Sequence, residues 1–278
     1  TFLSVCMLAT VAVPTAIVYA TTDSGDAGTS SNQPTEQKSI TVTKDESSAQ
    51  FDSLEDALAA AEEGSTITLN ENITVTQRAY ITKGITLNGN GHSIAGVGDF
   101  SSSSNPAVVL IDTDNAVVLS DLSIIGGTSN KFPLNIYTSP NVTLNNVSVT
   151  NVFTNGGAML VNASSVTVTG NLSVSTAAGS WYGINVDSGV GVESTDPILT
   201  FAAGSKMTYA NTEDGSYNAE GPAAICVDKP TQYTNAIAGY EEAGLAEPTR
   251  NEKQQDLYYL AQAADVEVSE VTLDQTAV

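Results

Sequence analysis

Asp187 and Asp228 are the residues best placed, by type and pattern, to do acid–base chemistry. Each closes a tetrad of alternating character, Ile184-Asn185-Val186-Asp187 and Ile225-Cys226-Val227-Asp228. If the two tetrads lie on neighbouring parallel strands, their carboxylates stand about 5 Å apart, the separation at which a retaining glycosidase sets its nucleophile and its acid/base. Any two stacked turn aspartates would spell the same pattern, and nothing in it supplies a cation or a positioned donor.

The same positions recur upstream. Asp112, Tyr137, Asn162 and Asp187 are each 25 residues apart, and Leu110, Asn135, Leu160 and Asn185 keep that interval. Two chemistries fit such columns. In one, Asn and Asp are turn residues that bond the next backbone turn. In the other they form a shallow glycan groove, with Asn135, Asn162, Asn185 and Asp187 as polar contacts and Tyr137, Trp181 and Tyr182 as platforms for sugar rings. Trp181-Tyr182 reads equally as a pair packing the start of a strand onto a loop. Asp112, Asp114 and the Asp187/Asp228 edge carry the hard oxygen ligands that calcium takes, although no calcium-loop spacing is present. No other cofactor is expected.

Counting removes other chemistries. His92 is the one histidine, so a His-based triad and a His-clustered zinc site are excluded. Cys226 has no histidine to activate it, and Cys6 falls in an apolar leader, so the mature chain is expected to form no internal disulfide. Nine Lys and Arg against 31 Asp and Glu leave a net charge of −22. Nucleic acid and anionic membrane surfaces, which need a basic footprint, are unsuitable partners.

The elements that must position these residues are set by a longer repeat. Val109, Leu134, Met159 and Ile184 are 25 apart, as are Ile111, Ile136, Val161 and Val186. Beside them Val117, Leu119, Leu122 and Ile124 recur as Val142, Leu144, Val147 and Val149, and then as Val166, Val168, Leu172 and Val174. In that last step the first two residues move by 24 and the last two by 25, as one residue inserted near Gly170 requires. Apolar residues alternate with Ser, Thr, Asn and Asp, so the local period is two and the segments are short strands. The economical packing is an all-β solenoid, a single-stranded parallel β-helix in which each repeat makes one circuit and like side chains stack inside.

The flanks complete the expected order. Residues 1–20 read as a signal peptide truncated at its start, with a permanent membrane anchor as the alternative, and residues 21–38 as a disordered Ser/Thr-rich linker. Residues 39–235 form the β-helix and residues 236–278 a helical cap or tail, with a helix over Glu252–Ala264. Ser53 caps a helix whose Leu54, Ala57, Leu58 and Ala61 make one apolar stripe, stopped at Gly64, to close the first circuit. Asp99 to Asn105 is a loop inserted between circuits, and Ile225 and Val227 resume the pattern after about 16 extra residues.

This order of helix, glycine and strands, followed by Leu87-Asn88-Gly89-Asn90-Gly91-His92-Ser93-Ile94, resembles the opening of the pectin-lyase-like family of right-handed parallel β-helices. The resemblance covers about Ser39 to Val227. It implies right-handedness, three sheets per circuit, and polysaccharide handled on the outer face of the first sheet. Lyases of this kind use Arg or Lys with calcium-binding acids, whereas here Arg78 and Arg250 lie outside the central repeats and Lys131, Lys206 and Lys229 are isolated. The expectation is therefore an exported monomer at the cell surface or secreted, adhesin-like or glycan-binding, without catalysis and without membrane insertion once the leader is removed. The alternative is a polysaccharide lyase or glycoside hydrolase using the outer-face acids.

Overall fold

The computed structural model describes residues 38–102, 106–177, 180–187, 199–211, 223–228, 237–250 and 257–259. The expected leader and all of the expected linker up to residue 37 lie outside them, as does the middle of the loop at 99–105. The described residues belong to one compact unit, 37–278.

A hairpin of β1 (Ile40–Lys44) and β2 (Ser47–Phe51) comes first, then α1 (Leu54–Ala60). Ser53 caps α1, its hydroxyl accepting from the Asp56 amide at 3.1 Å, with Glu55 and Asp56 in the first turn where the helix dipole favours them. Leu54, Ala57 and Ala61 are buried, and Gly64 (φ +78°) turns the chain away. The helix and its Ser53 cap are as the sequence predicts. Strands β3 (Thr66–Leu69), β4 (Ile73–Val75), β5 (Ala79–Ile81), β6 (Thr86–Asn88) and β7 (Ser93–Gly96) follow.

The regular repeats come next. They are β8 (Val109–Ile111) with β9 (Val117–Ile125), β10 (Leu134–Tyr137) with β11 (Val142–Asn151), and β12 (Met159–Asn162) with β13 (Val166–Val168) and β14 (Asn171–Thr176). After them stand β15 (Ile184–Asp187), β16 (Leu199–Phe201), β17 (Lys206–Asn211), β18 (Ile225–Asp228), β19 (Ile237–Ala238), β20 (Thr249–Arg250) and β21 (Leu257–Tyr259). The fold is all-β with almost no helix, and its sheets are largely parallel.

Strands β5, β8, β10, β12, β15 and β18 pair in that order in the smaller sheet. Beyond β18 the smaller sheet ends with β21 and β20, and the other 13 strands form the larger sheet, so from β8 to β19 the chain alternates between the two. The pairing places Val109, Leu134, Met159, Ile184 and Ile225 side by side, and Ile111, Ile136, Val161, Val186 and Val227 beside them. All ten are fully buried. At about 1.5–3 kcal/mol for each such side chain, these two rows supply much of the drive to fold.

In the larger sheet Val142, Thr143 and Leu144 pair with residues 24 further on, whereas Val147, Ser148 and Val149 pair with residues 25 further on. The extra residue separates β13 from β14. Gly170 sits at that break, where a Cβ would collide with the side-chain oxygens of Asn145 and Asn146. Long strands β9 and β11 each contain one left-handed residue, Asp121 (φ 47°) and Asn146 (φ 54°). Around it Ser120 and Asp121 both face outward, which shifts the alternation by one so that Val117, Leu119, Leu122 and Ile124 all point inward. Asn146 Nδ2 donates to Asp121 Oδ1 at 3.0 Å and Asn146 Oδ1 accepts from the Asn171 amide at 3.2 Å, tying successive corners together.

Two features differ from expectation. Strand structure continues past residue 236: β19 extends the larger sheet in parallel beside β16. Leu257–Tyr259, expected within a helix, is instead strand β21, antiparallel to β18 and to β20. Its apolar Leu-Tyr-Tyr run is too short to separate helix from strand by period, and an open strand edge at β18 favours pairing.

A third buried row is polar. Asn151, Thr176 and Asn211 pair in register and are buried, and Tyr209 lies beside them. Asn211 Nδ2 donates to Thr176 Oγ1 at 3.0 Å and to the Tyr209 hydroxyl at 3.2 Å. Burial holds the Tyr209 phenol above its ordinary pKa, although the bonds to Thr176 and Asn211 act the other way.

Ile136→Ala is expected to lower unfolding free energy by about 2–5 kcal/mol in chemical denaturation, while Thr143→Ala on the outward row costs under about 1 kcal/mol. Tyr209 gives a second check. Its raised folded pKa means stability is fully present below the unfolded value of about 10 and declines as pH rises above it. Tyr209→Phe should flatten that alkaline decline in melting temperature while lowering stability at neutral pH.

Candidate functional site

The outer face of the smaller sheet carries nearly all the residues singled out for chemistry. Register sets Leu110, Asn135, Leu160, Asn185 and Cys226 in one outward row, with Tyr137, Asn162, Asp187 and Asp228 in the next. Asp112 follows Ile111 at the end of β8 in this second row.

The acids of that row are engaged. Asp112 accepts from the Tyr80 hydroxyl at 2.8 Å and from the Thr138 hydroxyl. That bond, burial and the charge of Asp112 raise the Tyr80 pKa, against a lowering by Arg78. Asp187 and Asp228 are paired in register on β15 and β18. Asp228 Oδ2 accepts from Asn185 Nδ2 at 3.2 Å, and its Oδ1 lies 3.6 Å from the Cys226 sulfur. Asp114 is exposed on the turn after Asp112. Among the described residues no three His, Cys, Asp or Glu side chains converge as a metal site would need.

Outward position and exposure part company along the first row. Leu110, Asn135, Asn185 and Cys226 are all buried although they point away from the aliphatic interior. Asn135 is 3% exposed and its Oδ1 has no hydrogen-bond partner. Tyr137, at 39%, remains the open aromatic of the second row, and Asn162 and Asp187 are half-buried.

Trp181 and Tyr182 belong to a separate cluster built by the same repeat. Lys131-Phe132, Gly156-Gly157 and Trp181-Tyr182 occupy equivalent positions 25 residues apart. The middle repeat offers no side chains there, so its neighbours meet across it. Phe132 and Trp181 are edge-to-face with centroids 6.4 Å apart, and Lys131 Nζ stands 4.2 Å above the Trp181 ring. A Cβ at Gly156 would strike the Lys131 carbonyl oxygen, so the glycine is required. Tyr182 is buried with Ala223 and Cys226. Trp181 therefore offers a sugar no bare face on the side that Lys131 covers, and Tyr182 presents no open ring.

Sequence reasoning gave no role to Arg78 and Tyr80. Tyr80 is 44% exposed, pairs in register with Leu110, and has the Arg78 guanidinium 5.1 Å from its ring centre. The interval from Tyr80 to Leu110 is 30 residues rather than 25, which hid it from the periodicity; the Ala79-Tyr80-Ile81 alternation was the available signal. A groove of about 510 Å³ lies here between α1 and β4–β5, lined by Leu54, Leu58, Ile73, Arg78, Tyr80 and Lys83 among others, and it excludes the Asp187/Asp228 pair. Lys83 Nζ is turned to the end of the capping helix, donating to Ala61 O at 2.5 Å and to Ala59 O at 3.2 Å. His92 sits at the end of the Asn88–His92 turn, where Asn90 (φ 52°) and Gly91 (φ 82°) are both left-handed.

No helix among the described residues is long and apolar enough to cross a membrane.

Lys131→Ala uncovers one face of the protein's one tryptophan and should shift its fluorescence emission to longer wavelength. An unchanged spectrum would contradict the stacking.

No family model, curated protein or solved structure matches the chain.

Proposed function

We propose that this chain is a right-handed parallel β-helix resembling the pectin-lyase-like family, exported to the cell surface or secreted, and that it binds glycan without cleaving it. Support for the winding comes from strands that alternate between two sheets and pair in parallel one repeat on, in unbroken register from Val109 to Ile225. The single observation that carries the binding reading is the outward row of the smaller sheet. It sets an open tyrosine, an amide and two carboxylates at strand spacing, suited to successive hydroxyls of an extended saccharide. Tyr137 stacks on a sugar ring, and Asn162 and Asp187 bond hydroxyls beyond it.

One observation favours the enzymatic reading, the register pairing of Asp187 with Asp228. Against it, Asp228 already accepts an amide donor from Asn185.

Passing the protein over immobilised pectins, mucins and host glycans, while assaying for reducing or unsaturated ends, separates the two. Retention without product is expected, weakened about tenfold by Tyr137→Ala, a loss of about 1.4 kcal/mol. Product that disappears in Asp187→Ala or Asp228→Ala would replace the binding reading with the enzymatic one.

A further inference from the structure

The groove between α1 and β4–β5 has the dimensions of a small-molecule site, and none of Tyr137, Asn162, Asp187 and Asp228 lines it. Its volume of about 510 Å³ falls within the roughly 300–1,000 Å³ of such sites. Ile73 and Val75 continue the inward row of Ile94 and Gly96, but among the described residues β4 pairs with β7 alone, so no strand covers their other side. Both are half-buried, whereas Ile94 is fully closed off. The seven-residue α1 covers the space beyond only in part, and its Leu58 is half-buried too. Leu54, Leu58, Ile73 and Val75 thus make an apolar floor that stays partly open.

Around that floor the charge differs from the rest of the chain. Arg78 and Lys83 line the groove with Asp52 and Glu55, two against two, where the whole chain has 9 Lys and Arg against 31 Asp and Glu. Each nearby carboxylate already accepts a donor: Asp52 from Lys38 at 2.7 Å, Glu55 from Gln77, and Asp112, beyond the lining, from Tyr80 and Thr138. Lys83 is engaged by the helix carbonyls. Arg78 is half-buried at the floor, its guanidinium 5.1 Å from the Tyr80 ring centre. The backbone adds a donor. Ala79 N donates to Val108 O at 2.8 Å and Ile81 O accepts from Asp112 N at 2.9 Å, so parallel pairing turns the Tyr80 amide the other way, to the edge of β5 at the groove.

We propose that this groove binds a small carboxylic acid with an apolar body, the body lying on Leu58, Ile73 and Val75 and the carboxylate meeting the Arg78 guanidinium and the Tyr80 amide. A planar fork of donors matches a carboxylate with two bonds at once. Elsewhere on a chain of net charge −22 the same anion meets repulsion. A cationic ligand would find the carboxylates already bonded and Arg78 against it, and a neutral one would forgo the charge-assisted bonds. The site is separate from the saccharide row and does not rest on it.

Calorimetric titration of the unaltered full chain with phenylpropionate, phenylpropionamide and phenylpropylamine tests this without any substitution. The acid should bind with a Kd of about 0.1–1 mM, as suits about a dozen non-hydrogen atoms, the amide at least about tenfold more weakly, and the amine not measurably. Arg78→Gln should weaken the acid about tenfold with an unchanged far-ultraviolet circular dichroism spectrum. In amide NMR spectra the acid should shift the Leu58, Val75 and Tyr80 signals. No binding of the acid up to about 10 mM would overturn the proposal, as would an amide or amine that binds as tightly. So would acid binding that survives Arg78→Gln, or shifts confined to other amides, either of which would place the acid elsewhere.

Discussion

Equivalent aliphatic side chains lie directly beside one another on successive parallel strands, and everything else in the structure depends on that constraint. A parallel strand cannot return through a tight hairpin, so the chain must travel through the other sheet before it pairs again. With the aliphatic rows fixed in register, each outward row is fixed too, at one strand spacing per repeat. The Asp187/Asp228 neighbourhood and the spacing of Tyr137 from Asn162 therefore follow from Val186 lying against Val227 and Ile136 against Val161.

The corners keep this register while the chain changes direction. A strand that bends must either lose its alternation or reset it, and Asp121 and Asn146 reset it by adopting the left-handed conformation. Asn and Asp accept that conformation at lower cost than other side chains, and their polar groups bond across to the next corner. Where the third repeat has an additional residue, continuous strand gives way to two strands around Gly170. Buried polar groups are also met: Asn211 donates to Thr176 and Tyr209, while Asn151 donates to Gly157 O and accepts from the Phe153 amide. Asn135 Oδ1 and Ser175 Oγ stand apart, among the described residues, as buried polar atoms left without a partner.

Much of this was legible in the sequence because stacking imposes a count. The rows through Val109 and Ile111, the change from 24 to 25 near Gly170, the resumption at Ile225 and the Ser53 cap are direct consequences of spacing and local chemistry. What escaped lacked a count. Strand β2 is a polar edge with no buried face to reveal its period, and Leu257–Tyr259 is too short for helix and strand patterns to differ. Tyr80 falls at an irregular interval. Alternation told which way a side chain points but not whether it is exposed, so Asn135, Asn185 and Cys226 are outward and buried at once. The relation of Lys131 to Trp181 rests on two intervening glycines, a feature of absent side chains that hydrophobic periodicity does not register.

The most direct test of the account is the register itself, read by cysteine cross-linking on the outward row of the larger sheet. With Cys6 and Cys226 replaced by serine, Thr143→Cys paired with Thr167→Cys should oxidise readily to a disulfide, because these residues are direct neighbours on β11 and β13. Ser148→Cys paired with Ser173→Cys should do the same across β11 and β14. Thr143→Cys with Val168→Cys, offset by one residue to the opposite face, should not close. Cross-linking of that offset pair in preference to the first, or of none of the three, would contradict the stacked parallel register on which the fold and its outward rows rest.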